Sequence, residues 1–386
     1  MENLTIKNFT RTQFSASSPP EIFIGRKNYP NIYTGILAPP DNSESDTEQL
    51  SSPEIWFKKQ ATINEITNFR NQLVYSRFKT NIKTLSKNQK LDSSLNQIAM
   101  AKKSVRAEFF LKKPPKFSPI KEDHIPFIGN PAELTNVNIE ENPKIDPKID
   151  YVVNDTRLKS MIAIQELYKG KIEVSNIIKV LSAGLLGIKD NRKLVPTRWA
   201  ITAVDDTLSK EMLKKIRYFQ EINEILLFNG TYLGNHYEVL LLPDKFSFEV
   251  IETSIPTLNL TENIINNLEF WQDYEGFYHR KTYASSVTGA YYVNRLALCE
   301  YFLKINRQAS CIFFRETTPE YNVPLGVGIL RELSRDIFTK NPEKFSTINE
   351  ALQVAQKRMH IPIKIMKDKS LLLKEYKKQR RLSDWT

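Results

Sequence analysis

HYEVLLLPDKFSFEVIE, residues 236–252, decides the class of fold. Two runs rich in Val, Leu, Phe and Tyr flank Pro243, Asp244 and Lys245, which reads as two paired strands joined by a tight turn. ASCIFFRE, residues 309–316, is a further strand with the apolar content of a buried one. Around these strands the apolar spacing turns helical, over 156–168, 174–186, 207–221, 289–303, 326–338 and 347–360, with a shorter helix near 261–271. Upstream, Ile63, Ile66, Leu73, Val74, Phe78 and Ile82 recur three or four apart, which predicts helix within 56–110. PTRWAITAV, residues 196–204, alternates and is β-branched enough to be a strand. It runs into Asp205 and Asp206, one of which would cap the helix that follows. Strands and helices mix without a regular βαβ rhythm or an internal repeat, so the fold class is α+β or irregular α/β.

The chain has 386 residues, more than one core usually serves, and two packed domains are expected. Hydrophobic residues make up 41% and aromatics 11%, enough to fill both. Residues 112–131 and 141–151 are proline-dense and read as ordered connections or a linker, and 40–54 as a surface loop. No apolar run reaches the ~18–20 residues of a bilayer crossing, and MENLTIKNFT lacks the hydrophobic segment of a signal peptide. The expectation is a soluble, cytoplasmic protein with no membrane partner. Cys299 and Cys311 exclude a disulfide framework and a thiolate zinc site, and their apolar settings suit buried, inert thiols.

Four segments combine charge, aromatic rings and glycine: IGRKNYP (24–30), VPTRWAITAVDDTLSK (195–210), DYEGFYHRKTYASSVTGAYY (273–292) and FRETTPEYNVPLG (314–326). Three readings of them stand open. In the first, Asp205, Asp206, Asp273, Glu275 and Glu316 are carboxylates for Mg²⁺ in phosphodiester or nucleotide chemistry, with His279 as an acid–base group. In the second, Arg26, Arg198, Arg280, Lys281 and Arg315 hold phosphates while Trp199, Tyr278, Tyr283 or Tyr291 stacks on bases. In the third, the same residues form buried ion pairs and nothing more, and the chain is a non-catalytic scaffold that tethers another enzyme. The other histidines, His124, His236 and His360, are scattered without metal-ligand spacing, and there is no Walker A loop, GxGxxG or GxSxG.

Net charge is +11, and the last 23 residues carry +5 of it. A basic end suits a polyanion such as DNA, because neutralising phosphates releases counterions. The chain ends in QRRLSDWT, where Gln379, Leu382 and Trp385 follow the pattern of a peptide that binds the PCNA sliding clamp. Positions three apart share one face of a helical turn, so Leu382 and Trp385 would enter one apolar pocket together. Thr386 stands where the motif's second aromatic usually does.

SPPEIFIGRKNYPNIYTGILAPP (18–40), LVPTRWAITAVDDTLSK (194–210), WQDYEGFYHRKTYAS (271–285) and RQASCIFFRETTPEYNVPLGV (307–327), taken with the terminal peptide, resemble the archaeal Nre family. The resemblance implies a DNA-repair protein of an archaeal cell, working at the nucleoid, with DNA and PCNA as partners. It implies an N-terminal domain over 1–260, a C-terminal domain over 261–362 and a basic tail over 363–386. Some members of the family begin with a cysteine cluster that could hold zinc; this chain has none, so no zinc is expected, and Mg²⁺ enters only if the chain is an enzyme. A boundary at the proline-rich stretch, near 143–150, is the alternative; the cut near 260 is preferred on the expectation that strands after that stretch pair back with those before it.

Overall fold

The computed structural model describes residues 9–40, 47–82, 89–115 and 127–376, and the fold is α+β. The chain divides into two compact units, 1–208 with 324–328 and 209–323 with 329–386.

The first unit is built on a six-stranded sheet of β1 (Gln13–Ser18), β2 (Ile22–Ile24), β3 (Asn31–Ala38), β4 (Val74–Asn81), β5 (Val105–Leu111) and β6 (Asn130–Ile139), in the order β1-β5-β6-β4-β3-β2. Only β4 and β6 pair in parallel. Alternation along β3 sends Ile32, Ile36 and Ala38 into the core, where Leu91, Leu95 and Ile98 of the helix Gln89–Met100 meet them. On the other face Gly35 lies opposite Arg77. A Cβ at Gly35 would collide with the Ser76 carbonyl oxygen, so glycine alone lets the two strands close here. The Arg77 guanidinium then lies 4.2 Å from the centre of the Tyr33 ring.

The second unit holds a ribbon of β7 (Gln220–Glu221) with β12 (Arg307–Gln308), and a sheet of β8 (Ile225–Tyr232), β9 (Asn235–Leu242), β10 (Ser247–Ser254), β11 (Phe270–Glu275), β13 (Ser310–Thr317) and β14 (Glu343–Phe345). The order is β11-β10-β13-β9-β8-β14. Every residue of β9 and β13 is buried, so both faces of the sheet are covered. Leu240, Leu242, Ile312 and Phe314 pack against the helices Ile348–Gln356, Ile363–Lys369 and Leu371–Glu375. On the opposite face Phe228, Tyr237, Phe248 and Phe313 join an aromatic network with Tyr291, Tyr301 and Phe302 of the helix Gly289–Ile305.

Several sequence expectations are corrected. Residues 197–204 are not a strand but the start of the helix Thr197–Ile216, with Ala200, Val204, Leu208 and Ile216 buried at multiples of four. Asp205 and Asp206 therefore lie in mid-helix and cap nothing, and the helix ends at Ile216 rather than 221. Val74 and Phe78 belong to β4, which separates the helix Ile63–Asn71 from Gln89–Met100. β9 and β10 are not paired with each other: the wholly buried β13 needs a partner on each side and lies between them, antiparallel to β9 and parallel to β10. Among the proline-rich stretches, Pro147 opens the helix Pro147–Asn154, capped by Asp146, because a proline at the first turn has no helical N–H to lose. Among the described residues, the named strands before 140 and after 219 pair only within their own sheets, so no pairing spans the linker.

Replacing Gly35 with Ala is expected to lower stability by about 2 kcal/mol or more in urea unfolding, because the clash is with backbone that cannot step aside.

Candidate functional site

Asp273 and Glu275 sit two apart on β11, on one face of the strand. Asp273 accepts from Arg280 Nη1 at 2.7 Å and from the N–H groups of Ser286 and Val287 at 3.0 and 2.7 Å. Glu275 accepts from Arg295 Nη1 at 3.0 and 3.1 Å and from the Arg280 N–H at 3.1 Å. Arg295 is fully buried and donates through Nε to Ser209 Oγ at 3.1 Å. Arg280 spends its other donors on the carbonyls of Thr282 and Tyr283. The dense segment 273–292 is thus closed by ion pairs on its own strand and helix. Tyr283 stacks on Tyr292 at 5.5 Å, Lys281 is exposed, and His279 Nδ1 lies 3.1 Å from Arg217 Nη2. Burial, with Arg217 and Lys210 nearby, lowers the His279 pKa below the ordinary imidazole value. Among the described residues no three His, Cys, Asp or Glu side chains gather as a metal would require. Asp205 is fully buried within its helix.

Arg315 and Glu316 point to opposite faces of β13. Arg315 holds Glu252 at 2.5 Å and Asn235 Oδ1 at 2.6 Å. Burial opposes its charge, but Glu252 more than compensates and raises its pKa, so it is an internal partner and not a free phosphate ligand.

Glu316 leads to a cluster whose histidines the sequence reading passed over. The register sets Thr231, His236 and Glu316 in one row across β8, β9 and β13. Thr231 Oγ1 lies 2.7 Å from His236 Nδ1, and His236 Nε2 lies 2.9 Å from Glu238 Oε1. Arg358 grips both oxygens of Glu238 at 2.7 and 2.9 Å and reaches Glu343 at 2.7 Å. Glu316 accepts from the N–H groups of His360 and Ile361 at 3.0 and 3.2 Å and lies 2.7 Å from His360 Nδ1. Thr231, His236, Thr318, Glu320, Arg358 and His360 line a pocket of about 360 Å³. The signal that could have found it is His236-Tyr-Glu238: on a strand, residues two apart share a face.

In the first unit the Ile24 N–H donates to Thr197 Oγ1 at 3.0 Å, which joins the loop after β2 to the start of the helix Thr197–Ile216. Asn28 turns the loop with a φ of 64°, tolerated by Asn. Tyr29 and Trp199 then meet at 5.1 Å, 46% and 42% exposed, with Arg26, Lys27 and Arg198 exposed beside them in sequence. Glu21, at the head of the same segment, has its pKa pushed up to about 7 by burial, offset in part by Lys179 at 4.0 Å. Gln379, Leu382, Trp385 and Thr386 lie outside the described residues. The helix Leu371–Glu375 before them is held by Glu249, which accepts from Ser370 Oγ at 2.5 Å and from the N–H groups of Leu371 and Leu372.

A two-unit α+β chain with an exposed cationic, aromatic loop in one unit and a histidine pocket in the other is the class of molecule the coordinates define. Residues 1–258 match the family described as archaeal Nre, N-terminal, and 275–385 match archaeal Nre, C-terminal; the chain belongs to the archaeal Nre family. It is 34% identical over 93% of its length to the protein named DNA repair protein NreB of Archaeoglobus fulgidus, of which it covers 88%. It is 31% identical over 89% to DNA repair protein NreA of the same organism and 28% over 92% to DNA repair protein NreA of Haloferax volcanii, covering 84% of each. No solved structure matches it.

Because the folded pKa of Glu21 is raised from 4.5 to about 7, its contribution is complete below 4.5 and is lost as pH climbs through 7. Urea midpoints should therefore fall across that window in the native chain, and the fall should shrink in Glu21→Gln.

Proposed function

We propose that this chain acts in the repair of DNA, that it holds DNA on the surface of Arg26, Lys27, Tyr29, Arg198 and Trp199, and that Gln379, Leu382, Trp385 and Thr386 carry it to the PCNA sliding clamp at the archaeal nucleoid. The three relatives named DNA repair proteins support the repair role. The observation that carries the DNA reading is the Tyr29–Trp199 pair, two large rings left open to water with three exposed cations next to them in the chain. Stacking on such rings contributes about 1–3 kcal/mol per base, and cations follow the backbone. Of the five basic residues expected to hold phosphates, Arg26 and Arg198 belong to this loop–helix junction, Lys281 is exposed elsewhere, and Arg280 and Arg315 are consumed in ion pairs. The helix Leu371–Glu375, which precedes the terminal peptide in the chain, is pinned to the second unit's sheet by Glu249.

The reading as a metal-dependent phosphodiester or nucleotide enzyme rested on Asp205, Asp206 and the 273–280 segment. Asp273 and Glu275 are taken up by Arg280 and Arg295, so that reading is not favoured. Among the described residues no helix is long and apolar enough to cross a membrane.

Fluorescence anisotropy with a labelled single-stranded oligonucleotide should show the Tyr29→Ala/Trp199→Ala double variant binding at least about tenfold more weakly than the native chain. Arg26→Glu should weaken binding at low salt and flatten its salt dependence. Unchanged affinity in both would remove the DNA surface from this loop. Calorimetry against the cognate clamp should give binding by the full chain and none after truncation before Gln379; equal heats from both would exclude clamp recruitment through this peptide.

A further inference from the structure

The pocket of the second unit contains a hydroxyl, an imidazole and a carboxylate hydrogen-bonded in series. Glu238 has no exposed surface and is gripped by Arg358 through both oxygens. A carboxylate so held is an acceptor only, so His236 must present Nε2–H to it. In the neutral imidazole that fixes the tautomer: Nδ1 carries the lone pair, and Thr231 Oγ1, 2.7 Å away on an exposed residue, donates to it. A hydroxyl bound to a base that a third group orients is the arrangement of nucleophilic catalysis, whatever the order of the residues in the chain. A second imidazole lines the same pocket. Glu316, with no exposed surface and anchored by two backbone N–H groups, takes the Nδ1–H of His360 and leaves Nε2 as an acceptor.

We propose that this pocket is a hydrolytic site for a carboxylic ester or amide that carries no negative charge, with Thr231 as nucleophile, His236 as its base, Glu238 and Arg358 as positioning residues, and His360 as the base for water. Thr231 gives its proton to His236 Nδ1 as Oγ1 adds to the carbonyl carbon. Collapse breaks the bond to the leaving oxygen or nitrogen, which takes that proton from His236. Water then gives a proton to His360 Nε2 as its oxygen attacks the acyl-threonine; the acid is released, and Thr231 Oγ1 takes that proton from His360 Nε2, which leaves both imidazoles neutral again. The charge of the lining selects the substrate class. Its single arginine, Arg358, is spent on Glu238 and Glu343, and Glu320 adds an exposed carboxylate. A phosphate would find no unpaired cation there, whereas an uncharged acyl group needs none. This activity is separate from the DNA surface of the first unit and does not depend on it.

The test is p-nitrophenyl acetate hydrolysis by the full chain, followed by p-nitrophenolate release and intact-protein mass. Expected results are protein-dependent release, loss of at least about 100-fold in Thr231→Val and His236→Gln, and retained activity in Thr231→Ser. His360→Gln should accumulate an acetyl group that peptide mapping places on Thr231. Thr231 is exposed, so Thr231→Val should melt with the native chain, and circular dichroism checks this. No release above buffer, undiminished release by a folded Thr231→Val, or an acetyl group mapped only elsewhere would each overturn the proposal.

Discussion

Burial of carboxylates inside the second unit's sheet is the constraint on which the rest depends. Glu238, Glu249, Glu275 and Glu316 are at most 2% exposed, on β9, β10, β11 and β13. An ionised carboxylate in such a place is ruinous unless it is paired and hydrogen-bonded. Each has at least one partner from outside its strand. Arg358 and His236 serve Glu238, Ser370 and two backbone N–H groups serve Glu249, Arg295 serves Glu275, and His360 serves Glu316. Three of the four answers come from the last helices or the turns between them, so these contacts also seat the C-terminal helices on the sheet.

The same constraint sorts the residues that look chemical. An arginine that neutralises a buried acid is not free to bind a phosphate, and a carboxylate already neutralised by an arginine and held by further donors is a poor ligand for Mg²⁺. Asp273, Glu275, Arg280 and Arg315 are removed in this way. What survives is of two kinds. In the first unit, cations and rings on the loop after β2 and at the start of the helix Thr197–Ile216 lie open to solvent. In the second, the buried acids turn two imidazoles into oriented bases at the wall of a pocket. One is suited to a polyanion and the other to an uncharged acyl group.

The class of fold was legible because the buried strands of the second unit carry dense apolar runs, VLLL in β9 and CIFF in β13, and most helices carry clear three–four spacing. Strand pairing was not legible, since β13 enters between β9 and β10 from 55 residues or more away along the chain and nothing local announces it. Residues 196–204 misled because Ile201 and Val204 are β-branched; the spacing of Ala200, Val204 and Leu208 was the better guide. At the site, residue types were legible and their partners were not. Arg26, Arg198 and Arg280 carried the same readings in sequence, phosphate ligand or buried ion pair; Arg26 and Arg198 are exposed, while Arg280 is paired with Asp273 inside the unit. His236 and His360 are 124 positions apart, and only the sheet register with the turn at 358–360 unites them.

The central claim is that DNA lies across the loop of Tyr29 and the helix start of Trp199. Photocrosslinking of the full chain to a single-stranded oligonucleotide carrying 5-bromouracil, with peptide mapping of the adducts, tests it most directly. Adducts are expected within residues 24–33 and 197–199, competed away by unlabelled DNA. Specific, competable adducts confined to other segments would contradict it.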